Sequence, residues 1–357
     1  MLSYMTAGES HGKALMGILE GIPANLNLDL AAIDAALFAR QQGKGRGGRM
    51  LIETDKAEFI AGVRGGVTTG APIGFLVHNK DYQNWQDIMG AHATQTDKAK
   101  LTAVRPGHAD LAGCIKYAQT DARNILERAS ARGTATQVVV GAICAQYLAA
   151  LGVQVSSKVL SIGGENAQDK IDKKIEKALA EGDTLGGKIA LSVKGMPYGI
   201  GSHIASDKRL EFTLSSHLAA IQSVKSVSFG NVEAYATCFG SEVHDAMYMD
   251  KCGKIVRKTN NAGGIEGGIS NSEEISITIV CKPIPSVPKG IDSVDIATKK
   301  SAPSARERGD ACAIEAAAVV AQHVLQFALA QAISSTLGGD HMAEVVQRMK
   351  QKREVAL

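Results

Sequence analysis

Gly62-Val63-Arg64-Gly65-Gly66-Val67-Thr68-Thr69-Gly70-Ala71-Pro72-Ile73 is echoed 202 residues later by Gly264-Ile265-Glu266-Gly267-Gly268-Ile269-Ser270-Asn271-Ser272-Glu273-Glu274-Ile275. Gly62, Gly65, Gly66 and Ile73 recur identically, Val63, Val67 and Thr68 are exchanged conservatively, and at the same offset Lys80 meets Lys282. Each copy leads into an alternating apolar stretch, residues 73–77 and 275–280, the period-two pattern of a half-buried strand. Beyond each strand an Ala-rich stretch is predicted as a long helix, residues 122–151 and 311–337. The chain thus reads as two related halves, about residues 1–160 and 185–345, each with a glycine turn, a strand and a buried helix.

Both predicted helices are apolar almost all round, through Val138, Val139, Val140, Ile143 and Leu148 in one and Ala316, Ala317, Val319, Val320 and Leu325 in the other. Helices of that kind are buried on most faces. Strands that alternate, such as 188–193 and 276–279, cover one face only. The expected architecture is α+β, with central long helices sandwiched between antiparallel β-sheets. Residues 166–182 are charged and helix-prone and read as a surface excursion. No Pro-, Gly- or Ser-rich linker divides the chain, so residues 1–357 are expected to form one domain.

Of 357 residues, 45% are hydrophobic and only 4% aromatic, which favours closely packed small-residue helices. The net charge of +3 is too small to imply a polyanionic partner. Six scattered cysteines form no CxxC pair and show no zinc-type spacing; reduced thiols, a cytoplasmic location and no metal are expected. No secretory signal pattern is read at the N-terminus. Residues 138–155, interrupted by Gln146 and Gly152, read as a core helix rather than a membrane span.

The chemistry-bearing residues form a few dense groups. Arg105-Pro106-Gly107-His108-Ala109-Asp110 sets a histidine in a Pro-Gly turn. Downstream, Arg128 and Arg132 are four apart and are expected to stack on one helix face, which needs an anion between them. Gly8-Glu9-Ser10-His11-Gly12 places a second histidine between glycines that permit close approach of a ligand. Residues 40–49 carry Arg40, Lys44, Arg46 and Arg49 with no acid between Asp34 and Glu53, and read as an anion-binding loop. Asn260 to Gly268 is a glycine-rich turn without the spacing or context of a dinucleotide site. Lys282-Pro283-Ile284-Pro285-Ser286 offers a cation at a strand end; Asp310 is either a helix cap or a catalytic carboxylate.

Taken in order, these segments resemble the chorismate synthases across nearly the whole chain. The motifs carrying the likeness are Gly8 to Gly12, Arg46-Gly47 with Arg49-Met50, Gly62-Val63 with Thr69-Gly70 and Pro72-Ile73, Arg105 to Asp110, Glu127-Arg128-Ala129-Ser130-Ala131-Arg132, Gly263 to Gly268, Lys282-Pro283, and Arg308 with Asp310. The resemblance implies a lyase that removes phosphate and a ring proton from 5-enolpyruvylshikimate 3-phosphate, giving chorismate, with reduced FMN required although the reaction is redox-neutral. By the same resemblance His11, His108 and Asp310 would be catalytic: His11 toward the leaving phosphate, His108 toward the reduced flavin, Asp310 in ring-proton removal. Arg128, Ala129, Ser130, Gln222, Ser223, Gly267, Lys282, Pro283, Ile284, Pro285, Ser286 and Arg308 would line the FMN site. Arg40, Arg46, Arg49, Arg105 and Arg132 would face the substrate, where some family members are assigned an NADP contact. NADPH would then serve as an indirect reductant, and a homotetramer would be the assembly, with no nucleic-acid or membrane partner.

The chain departs from the family's usual pattern at Gly133, where glutamate is usual, at Lys44 for tyrosine, at Gly309, and at Gln222-Ser223 for Asn-Ala. On these residues three readings compete: an FMN-dependent lyase, a non-catalytic anion- or flavin-binding relative suggested by Gly133, and an RNA-binding protein using residues 40–49. Salt-sensitive binding that ignores substrate would mark the last.

Overall fold

The computed structural model describes residues 2–47, 53–307 and 310–354. Two four-stranded antiparallel sheets dominate it. The first contains β1 (Ser3–Ala7), β2 (Ala14–Glu20), β3 (Glu58–Ala61) and β4 (Ile73–His78) in the order β1-β2-β4-β3. The second contains β5 (Gln154–Ile162), β6 (Gly187–Lys194), β7 (Val224–Phe229) and β8 (Ile275–Cys281) in the order β7-β8-β6-β5. The helices that matter to the site are α1 (Leu30–Gln41), α2 (Arg123–Ala129), α3 (Thr134–Ala150) and α4 (Ile314–Leu337).

Alternation puts one face of each sheet in the core. Ile73, Phe75 and Val77 of β4 are buried and lie opposite Leu19, Gly17 and Leu15 of β2. Ile275, Ile277 and Ile279 of β8 are buried opposite Val193, Leu191 and Ile189 of β6. Helix α3 packs on β2 and β4, α4 packs on β5 and β6, and the two helices pack on each other. Both α4 and the run Arg123–Ala150 are long and apolar enough to cross a membrane, yet most of each is buried here, as in core helices. The charged helix Gln168–Glu181 buries only Ile171, Ile175 and Ala178, as its sequence predicts.

The two glycine turns have the same backbone. Gly62 and Gly264 take φ of 82° and 81°, and Gly65 and Gly267 take 58° and 60°. A Cβ at Gly62 would lie 2.5 Å from Pro72 O and 2.6 Å from Ile73 Cα; at Gly264, 2.7 Å from Glu274 O and 2.8 Å from Ile275 Cα. Only glycine fits that backing against the start of the strand, so the repeated residues are demanded by geometry.

One expectation is corrected. The helix expected over residues 122–151 is broken: α2 ends at Ala129, Ser130 is extended (φ −61°, ψ 142°), and a 3₁₀ turn over Ala131–Gly133 leads into α3. The Ser130 hydroxyl accepts from Arg132 N, an alternative to the helical bond that apolar periodicity does not reveal.

The α3–α4 contact is closest at Gly141, where an added Cβ would overlap the His323 carbonyl, far inside van der Waals contact. Gly141→Ala gains about 1 kcal/mol of helix propensity. Separating the helices to admit the methyl group should cost more, leaving a net destabilisation of about 1–3 kcal/mol. A urea midpoint equal to the unmutated protein's would show that the helices part freely.

Candidate active site

His11 sits where the loop after β1 meets α2. Glu127 takes its backbone N–H at 2.7 Å, and the Glu127 carboxylate oxygens lie 2.8 and 3.1 Å from Nδ1. The Trp85 ring stacks on the imidazole with centroids 4.1 Å apart. Arg123 braces the carboxylate at 3.3 Å, reaches Glu307 at 2.8 Å and lies over Trp85. Burial alone would raise the Glu127 pKa, but the His11 hydrogen bonds and the Arg123 charge outweigh it and hold the carboxyl below its usual range.

His108 also pairs with a carboxylate that an arginine braces, built from other segments. Its Nδ1 is 2.5 Å from Asp110 Oδ1, and Asp110 is fully buried. Arg105 donates to Asp110 through its backbone N–H (3.1 Å), Nε (2.8 Å) and Nη2 (3.0 Å), and through Nη1 to the Ser286 hydroxyl (2.6 Å). Burial opposes ionisation of Asp110, yet bonds from His108 and Arg105 hold it well below the carboxylate range. Lys282 donates to the Gly107 carbonyl, so the histidine turn is docked on 282–286. Its own backbone N–H donates to Ser223, which holds a positive φ of 78°. Burial and then the neighbouring Lys225 charge lower the Lys282 pKa.

Arg128 and Arg132 do not stack. Arg128 turns to the carbonyls of Thr6 (3.0 Å) and Gly8 (3.3 Å) and to the Thr6 hydroxyl (2.8 Å). Beyond the Ser130 break, Arg132 is buried and donates to Asp55 (2.6 Å) and Asn79 (2.8 Å). Asn79 in turn donates to Gly12 O and Glu9 O, tying the His11 loop to this cluster. Arg40 donates to the same Asp55 oxygen at 2.8 Å and to the Thr134 hydroxyl at 3.3 Å. The Asp55 carboxyl is lowered because Arg132 and Arg40 together outweigh its burial.

Arg46 pairs with Asp310 at 3.1 Å, and Asp310 accepts from Gly47 N at 2.6 Å. The Ala311 N–H donates to Gly45 O and the Lys44 N–H to Glu315, so the basic loop is strapped to the start of α4. The Lys44 ammonium pairs with Glu176, 2.7 Å away. A Cβ at Gly133 would meet only Arg128 Nη1, at 3.7 Å, so a larger residue would fit there. Gln222 and Gly267 are exposed, and a Cβ added at Gly267 would meet nothing within 4 Å. Arg49, Arg308 and Gly309 lie outside the described residues. A cleft of about 420 Å³ between α3, α4 and the second sheet, lined by Leu148, Val155, Lys194 and Gln326, contains none of the site residues.

Sequence reasoning missed Glu127, Asp55 and Trp85 as site members. Glu127 had a signal, four residues after Arg123; Asp55 had none, since Arg132 lies 77 residues away.

Two imidazoles on ionised carboxylates, amid guanidinium and ammonium groups, make an acid–base site for a multiply anionic substrate, as a phosphate-eliminating lyase requires. Known proteins make this specific. The family described as chorismate synthase matches residues 2–334. A chorismate synthase of Caldanaerobacter subterraneus subsp. tengcongensis is 47% identical over 344 residues, 96% of each chain. One from Thermoanaerobacter pseudethanolicus is 46% identical over 96% of each chain. A crystal structure of chorismate synthase superposes with a TM-score of 0.78 at 33% identity, covering 98% of this chain and 96% of the other. The chain belongs to the chorismate synthase family, and its activity is that of this phosphate lyase of the shikimate pathway.

Proposed function

We propose that the chain converts 5-enolpyruvylshikimate 3-phosphate to chorismate by anti-1,4-elimination, with reduced FMN held beside His108 and Lys282. The observation that carries this is the pairing of each histidine with an ionised, arginine-braced carboxylate, next to cations suited to phosphate and carboxylate groups. The flavin fits the donor set. Lys282 bonds a main-chain carbonyl and sits near Lys225, and Gly107 (φ 76°) leaves the space that a side chain would fill against Lys282 and Pro285. Arg128, Ala129, Ser130, Gln222, Ser223, Gly267, residues 282–286 and Arg308 would hold the cofactor. When bound, reduced FMN supplies electron density transiently to the breaking carbon–oxygen bond and recovers it.

The chain's own groups handle protons and anions. His11 gives a proton to the departing phosphate, and His108 holds a proton toward the flavin. Asp310, fixed by Arg46 and the Gly47 N–H, assists removal of the ring proton. Arg46 and Arg49 contact substrate anions, while Arg40, Arg105 and Arg132, committed to Asp55 and Asp110, form the buried cationic frame. The same reading takes the matching turns and strands as two duplicated halves around central helices, in a cytoplasmic homotetramer supplied by an external reductant, with NADPH as its indirect source.

Arg46→Ala is expected to raise the substrate KM at least about tenfold, the scale of one lost charge-assisted contact, with FMN affinity nearly unchanged. An unchanged KM would remove the basic loop from substrate binding.

A further inference from the structure

We propose that Glu127 and Asp110 are positioning residues that fix both histidines as Nδ1–H tautomers, so that Nε2 is the nitrogen that exchanges the proton in each. This deepens the site reading above and rests on its choice of His11 and His108. A carboxylate oxygen can only accept hydrogen bonds. With two Glu127 oxygens 2.8 and 3.1 Å from His11 Nδ1, that nitrogen must carry the hydrogen. Glu127 itself is pinned by the His11 backbone N–H and by Arg123, and Trp85 fixes the plane of the ring. Among the described residues, the charged groups near His11 include Glu127 and Arg123 of α2, Arg128 on the Gly8 carbonyl, Glu9 of its own loop folded against Gly12, and Glu307 beyond Arg123.

His108 repeats the arrangement. Arg105 Nη2 lies 2.9 Å from His108 Nδ1 and 3.0 Å from Asp110 Oδ1. A guanidinium only donates, and two lone pairs cannot face each other at the 2.5 Å separating Nδ1 from Asp110 Oδ1. The imidazole proton therefore lies between Nδ1 and Asp110, and Arg105 donates to the carboxylate. In both pairs the carboxylate sets the tautomer and orients the ring. Nε2 then holds the lone pair in the neutral ring and the transferable proton in the cationic one. No step needs a further reactant: a proton moves on or off Nε2 while the carboxylate stays ionised.

Glu127→Gln tests this. Its amide can point an N–H at Nδ1, which admits the Nε2–H tautomer and blocks Nε2 as acceptor. The expected result is a fall in kcat of about 100-fold or more with KM within about twofold. The ring ¹⁵N signals of His11, assigned by their loss in His11→Gln among the nine histidines, should change from Nδ1–H to Nε2–H. Trp85 is the single tryptophan, so unchanged emission shows that the stack survives. Neutral His11 carrying its proton on Nε2 in the unmutated protein overturns the proposal, whether or not the variant folds. Unaltered kcat in Glu127→Gln despite the tautomer change overturns it as well. If instead His11→Ala turns over normally while Nδ1–H is observed, the pairing stands and the choice of His11 as a catalytic residue fails.

Discussion

Replacing His108 by alanine is expected to lower turnover by about 10²- to 10⁴-fold, the range for loss of a positioned acid or base, with FMN affinity changed only severalfold. The reason lies in what surrounds the ring. The turn that carries it is held by Lys282 on the Gly107 carbonyl and by Arg105 on Asp110 and Ser286, none of which needs the imidazole. Lys282, Ser223 and Ser286, which would bind the cofactor, keep their positions when the ring is removed. Single-turnover kinetics with FMN binding measured separately would check this. Equal losses in binding and turnover would make His108 a binding residue; normal turnover would remove it from the mechanism.

Asp55→Asn should be the most destabilising single change at the site. Arg40 and Arg132 are 4% and 5% exposed and share one Asp55 oxygen. Removing the carboxylate leaves two guanidiniums buried side by side with only the Glu53 carboxylate, 3.9 Å from Arg132, to balance them, a loss of about 3–5 kcal/mol. The hydrogen bonds to Thr134 and Asn79 remain but carry no charge. The pH dependence has a definite sign. Asp55, Asp110 and Glu127 all have folded pKa values below their unfolded ones. Their stabilisation is complete above the ordinary carboxylate range, near about pH 4, and is lost as pH falls through that range toward the folded values. Acid unfolding should therefore be steep in the unmutated protein and shallower in Asp55→Asn, whose stability at neutral pH is already reduced. Circular dichroism against denaturant at several pH values would show it; equal midpoints at pH 7 would mean that Asp55 is dispensable.

The fold was legible where local chemistry dictates it. Gly62 and Gly264 announced two turns because a Cβ there strikes the following strand. The alternation at 73–77 and 275–280 announced β4 and β8, each of which became an inner strand of its sheet. The break at Ser130 stayed hidden, since apolar spacing continues from Leu126 into α3 while one hydroxyl redirects the chain. That break separates Arg128 from Arg132 and sends the second into the Asp55 cluster. Both histidines were visible from their glycine turns. Asp110 lay two residues from His108 in the same motif and was read only as part of it, whereas Asp55 and Trp85 reach the site through tertiary packing alone.

The most direct measurement is an anaerobic assay with 5-enolpyruvylshikimate 3-phosphate and chemically reduced FMN, following chorismate and phosphate together. The account predicts equal release of the two, abolished when oxidised FMN replaces reduced FMN. Demonstrable FMN binding with release of neither product would contradict it.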